Sequence, residues 1–180
     1  MVDDVITFDV AWYFSLVIAG VLGVAITTVA NLATTVYLHR GLSHRALTFS
    51  RPARGSFRIV LWLTTGIRPR QWVAVHRKHH AHTDTAEDPH SPVIHGWWKV
   101  QVRNYAMYRR AARDVTNTER FAKDLPADRL DKMLFDRALL GLGTGIGILV
   151  LLFGPLIAMV AAVVHLNYYI AANSAVNAIG

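Results

Sequence analysis

Long uncharged stretches frame this chain at both ends. No Asp, Glu, Lys or Arg occurs from Val10 to Leu38 or from Ala138 to Gly180. A helix crosses a bilayer with about 20 apolar residues, so both stretches are long enough to span. The first predicts one transmembrane helix over about 10–38. At about 1.5 Å per residue it is roughly 43 Å long, against a hydrocarbon core of ~30 Å. The surplus carries its His39 end beyond the lipid. Thr27, Thr28, Asn31, Thr34 and Thr35 predict that its second half faces protein. The second stretch holds Gly154-Pro155 near its middle, a turn signal. It predicts a hairpin of two spans, about 136–153 and 156–176. Three spans place the central segment and the C-terminal end on one face.

The central segment is mixed. Phe57 to Val75 is apolar in patches but broken by Arg58, Arg68, Pro69 and Arg70, which predicts an interfacial or re-entrant helix. Two more helices are predicted around Trp97 to Asp114 and Asp128 to Arg137, separated by a Thr-Asn-Thr stretch and Pro126. The predicted fold is therefore an all-α integral membrane protein. About three transmembrane helices carry a cytoplasmic helical cap, in one domain over 1–180.

Charge fixes the orientation. All 19 Lys and Arg lie between Arg40 and Arg137. A net charge of +7 raises the question of nucleic acid. Retention of basic residues on the cytoplasmic side accounts for it better, so no nucleic-acid partner is expected. The acidic start MVDDVITFD lacks the positive region of a cleaved signal. Trp12, Tyr13 and Phe14 read as an aromatic belt at the outer interface. Absence of cysteine excludes disulfides, thiolate zinc sites and thiol catalysis together.

The chemistry lies in clustered histidines. HRGLSH carries His39 and His44, and HRKHH carries His76, His79 and His80. Imidazole is the commonest protein metal ligand. An all-nitrogen set at a membrane edge suits iron used for oxygen chemistry better than a structural zinc knot. On a helix the i, i+3, i+4 spacing of HRKHH keeps its three rings within an arc of ~100°. They reach one metal or two adjacent ones. The alternative is a solvated basic patch, because Arg77 and Lys78 interleave. In HRGLSH the i, i+5 spacing diverges by about 140° on an ideal helix. Convergence there needs the helix to end or distort, which Gly41 permits.

Asp84, Glu87 and Asp88 follow the second box, where carboxylates orient imidazole ligands by accepting the other ring N–H. A polar turn at Asp88-Pro89 is the plainer reading of the same residues. His82, His90 and His95 are weaker ligand candidates. His165, Tyr169, Asn173 and Asn177 recur every four residues as one stripe on the last span. That stripe either lines an acyl site or makes interhelical hydrogen bonds.

HRGLSHRALTF, HRKHHAHTDTAEDPHSP with Trp72 upstream, and NAIG at the end of the hydrophobic hairpin together resemble the membrane fatty-acid (acyl-CoA) desaturases. The similarity runs from about His39 to Gly180. It implies a di-iron centre with His39, His44, His76, His79 and His80 as iron ligands. It implies a water-mediated role for Asn177, beside which Asp84 and Asp88 remain the candidates for orienting the imidazoles. Trp72, His90 and Asn173 are candidates for contact with substrate. The implied reaction is O₂-dependent removal of two hydrogens from a fatty acyl chain, with electrons from a donor such as a ferredoxin or a reductase. The protein would be surrounded by membrane lipid, with its histidine boxes on the cytoplasmic side.

The resemblance also implies a further ligand His at position 181 and a last histidine box, neither of which falls within the 180 residues. The expectation is an N-terminal desaturase portion, inactive in this form. Two rivals stand beside it. One is a histidine-rich di-iron hydroxylase or alkane monooxygenase. The other is a non-catalytic, truncated membrane protein.

Overall fold

The computed structural model describes residues 2–179, and side chains for 12–179. The acidic N-terminal side chains and Gly180, which ends the NAIG element, lie outside what is described. Every regular element among the described residues is helical. α1 (Val2–Ala33) continues into a ten-residue π-helix, Thr34–Ser43. α2 (Arg51–Thr64) and α3 (Pro69–Ala81) follow, then the short α4 (Pro92–His95), α5 (Trp97–Arg113) and α6 (Val115–Phe121). A second π-turn, Asp131–Phe135, leads into α7 (Ala138–Phe153) and α8 (Pro155–Ile179).

Among the described residues, two helices are long and apolar enough to cross a membrane, Trp12–Ser43 and Pro155–Ile179. The α7 helix is shorter, with 16 residues. Gly154, with φ 80°, breaks α7 from α8 where the turn was expected. Outward faces of these helices carry exposed Val17, Val21, Leu151, Leu152, Met159 and Val163. Trp12, Tyr13 and Phe14 are exposed as well.

α1 packs along α8 through small residues. Ala19, Ala30, Ala158 and Ala161 are wholly buried. A side chain on Gly23 would run into Ala161 and Val164. With Gly23 beside Ala161 and Thr27 beside His165, the two helices run parallel. The polar stripe of α8 closes this contact. Thr27 Oγ1 lies 2.9 Å from His165 Nδ1, Thr34 Oγ1 lies 2.8 Å from Tyr169 Oη, and Asn173 Nδ2 donates to Asn31 Oδ1 at 3.1 Å. His165 Nε2 faces the Thr64 carbonyl at 2.8 Å. The stripe is an interhelical hydrogen-bond ladder. Both His165 nitrogens are engaged, so it is no part of the histidine cluster.

Two expectations about the central segment need correction. The stretch 57–75 is not one interfacial helix but parts of two. Gly66, with φ 62°, and Pro69 at the first turn of α3 break it. The Thr-Asn-Thr stretch is not a break but lies within α6. Asp114 Oδ1 accepts from the Thr116 amide and caps that helix.

The π-helix sits on an aromatic triad. Tyr37 stacks on Phe57 at 5.4 Å, and Phe49 meets both rings edge-on at 5.6 and 5.3 Å. Tyr37, Leu38 and Leu61 are buried in this core, with Trp72 and Ile67 packed against it. Gly41 is needed here for space and not for backbone freedom. An added Cβ would strike the Phe49 ring. Gly41→Ala is therefore expected to push Phe49 out of the triad and cost about 1–3 kcal/mol, the usual penalty of overpacking. A thermal unfolding comparison in detergent checks it; an unchanged midpoint would show that Phe49 moves aside freely.

Candidate metal centre

The π-helix solves the spacing problem of the first box. Its hydrogen bonds run from i to i+5, and the His44 amide donates to the His39 carbonyl at 3.0 Å. Residues five apart therefore fall on one face. His39 Nε2 and His44 Nε2 lie 3.1 Å apart. On α3, His76 and His80 are one turn apart and face the same point. His76 Nε2 is 3.3 Å from His44 Nε2 and 3.1 Å from His80 Nε2. The four ligand nitrogens form one group, all within 4.8 Å of each other.

These separations test whether a metal fits. Two nitrogens bound to one ion at about 2.0–2.1 Å lie about 2.9–3.4 Å apart at octahedral or tetrahedral angles. The observed 3.1–3.3 Å contacts match that spacing. With their protons on Nδ1, the four rings aim lone pairs inward, an arrangement that a cation between them would stabilise. A charged imidazolium is disfavoured as the source of that positive charge. Burial, then the fields of His80, His39 and His44, push the His76 imidazole down to about 3. Burial and His44 also lower His80. Neutral imidazoles with converging Nε2 atoms suit a divalent metal. His39 and His76 are half-buried while His44 and His80 are exposed, so the cluster has an open side.

His79, expected beside His76 and His80, turns another way. Its Nδ1 lies 3.0 Å from both oxygens of Asp88. That bond keeps the proton on Nδ1 and leaves Nε2 as the free lone pair. Asp88 is 2% exposed and also accepts the Asp84 and His90 amides. Burial alone would raise its carboxyl. The hydrogen bonds from His79 and from the two amides outweigh burial and hold it below the usual range. His90 stacks on His79 at 4.7 Å with its Nδ1 buried and unpartnered. Burial first, then His79, takes it down to about 4.

The other expected site residues fall as follows. Asp84 accepts from Ser91 Oγ at 2.8 Å and touches no imidazole through its carboxylate. Glu87 lies 3.6 Å from His82 Nε2. Trp72 stacks on His76 at 4.8 Å and forms a wall of the cluster. Asn173 is held by Asn31 and the Tyr169 carbonyl. Asn177 donates to Asn104 Oδ1 of α5 at 3.2 Å, tying the end of α8 to the cap.

Arg77 escaped the sequence reading. It sits inside HRKHH, yet it is a hub and not solvated surface. Its Nη2 donates to the Leu42 carbonyl at 2.8 Å and its Nε to the Ser43 carbonyl at 3.2 Å, capping the π-helix. Its Nη1 donates to the Phe121 carbonyl at 2.9 Å and pairs with Asp124 at 2.6 Å. Asp124 also pairs with Arg45 at 2.7 Å. One guanidinium thus fixes the first box against the second. The only trace of this in sequence is a charged residue between two converging histidines.

Two long apolar helices joined by a polar ladder thus stand beside a four-imidazole cluster that could hold a metal ion. The fatty acid desaturase family model matches residues 15–179, and the chain belongs to that family. It is 37% identical over 76 residues to a Delta-9 desaturase-like 2 protein of Arabidopsis thaliana, covering 42% of this chain and 25% of that relative. It is 38% identical over 88 residues to acyl-CoA 5-desaturase AL21 of Anemone leveillei, covering 49% and 25%. It is 29% identical over 143 residues to sn-1 stearoyl-lipid 9-desaturase of Anabaena variabilis, covering 78% and 50%. The chain spans half or less of the length of these relatives. No solved structure matches.

Proposed function

We propose that this chain supplies the iron-holding, N-terminal part of a membrane fatty-acyl desaturase. One observation carries the reading: four imidazole nitrogens from two boxes approach at the spacing of a single ion. The reaction turns an acyl –CH₂–CH₂– into –CH=CH–. O₂ is reduced to two waters by the two substrate hydrogens plus two electrons and two protons from a donor. Iron, when bound, supplies the O₂ chemistry that no side chain here provides.

His39, His44, His76 and His80 would hold one ion. His79 would serve a second, with Asp88 fixing its tautomer. Trp72 shields one side of His76 from water. α1, α7 and α8 cross the bilayer in this reading, with the boxes on the cytoplasmic side and membrane lipid around the exposed aliphatic faces. The fatty acyl chain is the substrate, and a ferredoxin or a reductase the electron donor.

The test is a chimera. The chain joined to the C-terminal half of the Anabaena variabilis relative, iron-loaded and given a donor and stearoyl lipid, should yield an unsaturated acyl product. The same chimera with His44→Ala should not. The 180 residues alone should yield none, because among the described residues the only other group that could hold an ion is His79 with Asp88 and His90, and Asp88 is already engaged by His79 and two amides. An alcohol product would assign hydroxylation instead. No product from the iron-loaded chimera would refute the reading.

A further inference from the structure

We propose that the cavity between α3, α5 and the start of α7 binds the phosphate of a membrane phospholipid. The cavity measures about 90 Å³. Arg68, Arg109 and Arg113 line it, with Gln71, Tyr105 and Tyr108 between them. Arg109 and Arg113 are one helical turn apart, and Tyr105 is one turn before Arg109, so all three share a face of α5.

These arginines differ from those that build the fold. Arg45 and Arg77 are paired with Asp124, and Arg58 with Asp128 and Asp131. The side chains of Arg68, Arg109 and Arg113 have no hydrogen bond or ion pair among the described residues. No acid lines the cavity. Asp136 feels the fields of Arg68 and Arg70 but is not among the lining residues. Three guanidinium groups with no carboxylate answer are suited to a multiply accepting oxyanion, and their planar forks match phosphate. Burial, then Tyr169, raises the Tyr108 phenol, so it keeps its proton and remains a donor.

The apolar edge of the cavity selects a lipid over a soluble phosphate. Ile67 and Ala138 form part of the lining, and Ala138 is the first residue of α7. Directly beyond it Leu139 stands 85% exposed and Leu140 49% exposed. An amphiphile would place its phosphate among the arginines and its chains along α7. Basic side chains at a bilayer surface attract anionic headgroups in the same way. The site rests on the membrane reading of α7.

Native mass spectrometry of the chain in detergent tests it. A dioleoyl phosphatidylglycerol should be retained. The Arg109→Gln/Arg113→Gln variant should bind it at least about tenfold more weakly, since charge-assisted hydrogen bonds are lost. Arg103→Gln/Arg110→Gln, which removes the same two positive charges outside the cavity, should bind as the unsubstituted chain does. Dioleoylglycerol, with the same chains and no phosphate, should be retained as poorly as phosphatidylglycerol is by the double variant. Equal lipid retention by the double variant, or equal retention of dioleoylglycerol, would overturn the site. Full displacement by millimolar inorganic phosphate would overturn the lipid assignment. Extraction of the chain from vesicles by alkaline wash would overturn it through the membrane reading.

Discussion

Replacing His76 with Ala is expected to weaken metal binding by more than about 100-fold. Losing an outer partner of a ligand typically costs about 10–100-fold, and His76 is placed as a ligand itself. It is the middle of the chain of contacts, 3.3 Å from His44 and 3.1 Å from His80 through Nε2. Its low proton affinity, at about 3, keeps the ring neutral at neutral pH, as a metal ligand must be. The Ala variant also empties the space beneath Trp72, which stacks on the ring. Cobalt titration followed by absorbance gives the affinity, and far-ultraviolet circular dichroism shows whether the helices persist. Asn173→Ala serves as the control, since it breaks the ladder to Asn31 and leaves the cluster alone. Equal affinity in His76→Ala and the unsubstituted chain would remove His76 from the site.

Arg77→Leu should destabilise the protein by about 1–3 kcal/mol, because three part-buried carbonyl partners and a solvent-facing ion pair are lost at once. The Leu42, Ser43 and Phe121 carbonyls would lose their donor. Arg77→Lys should not rescue it, since an ammonium cannot reach acceptors spread around a planar fork. The pH dependence has a definite sign. The Arg77 hydrogen bond, with help from Arg45 against burial, holds Asp124 well below the usual carboxylate range. Its contribution is therefore present above the unfolded value of about 3.9 and is lost as pH falls through the lower folded value. Midpoints for Asp124→Asn and the unsubstituted chain should differ at pH 7 and converge in strong acid. A constant gap down to pH 2 would show that the ionised carboxylate is not what matters.

The histidine cluster was half legible in the sequence. The i, i+4 pair His76 and His80 follows from ordinary helix geometry, and their shared face is observed. The same geometry put His79 on that face, but the buried Asp88 draws its ring elsewhere. The 100° per residue rule separates His39 from His44. A ten-residue π-helix overrides it, and nothing in the local composition announces that register. The role of Gly41 was misread for a related reason: its neighbour Phe49 lies beyond the helix end, so the contact is tertiary.

The long-range ties were hidden in the same way. Asp124 lies 47 positions after Arg77, and no periodicity connects them. The polar stripe on α8 was visible as a pattern. Its partners Thr27, Asn31 and Thr34 were visible on α1 as well, and only their pairing required the fold.

The most direct test is X-ray absorption with metal counting on the iron-loaded 180-residue chain. The account predicts one iron per chain, with about four imidazole nitrogens at roughly 2.0–2.2 Å, and loss of that signal in His44→Ala. Absence of bound iron, an oxygen-only environment, or an identical spectrum in His44→Ala would contradict it.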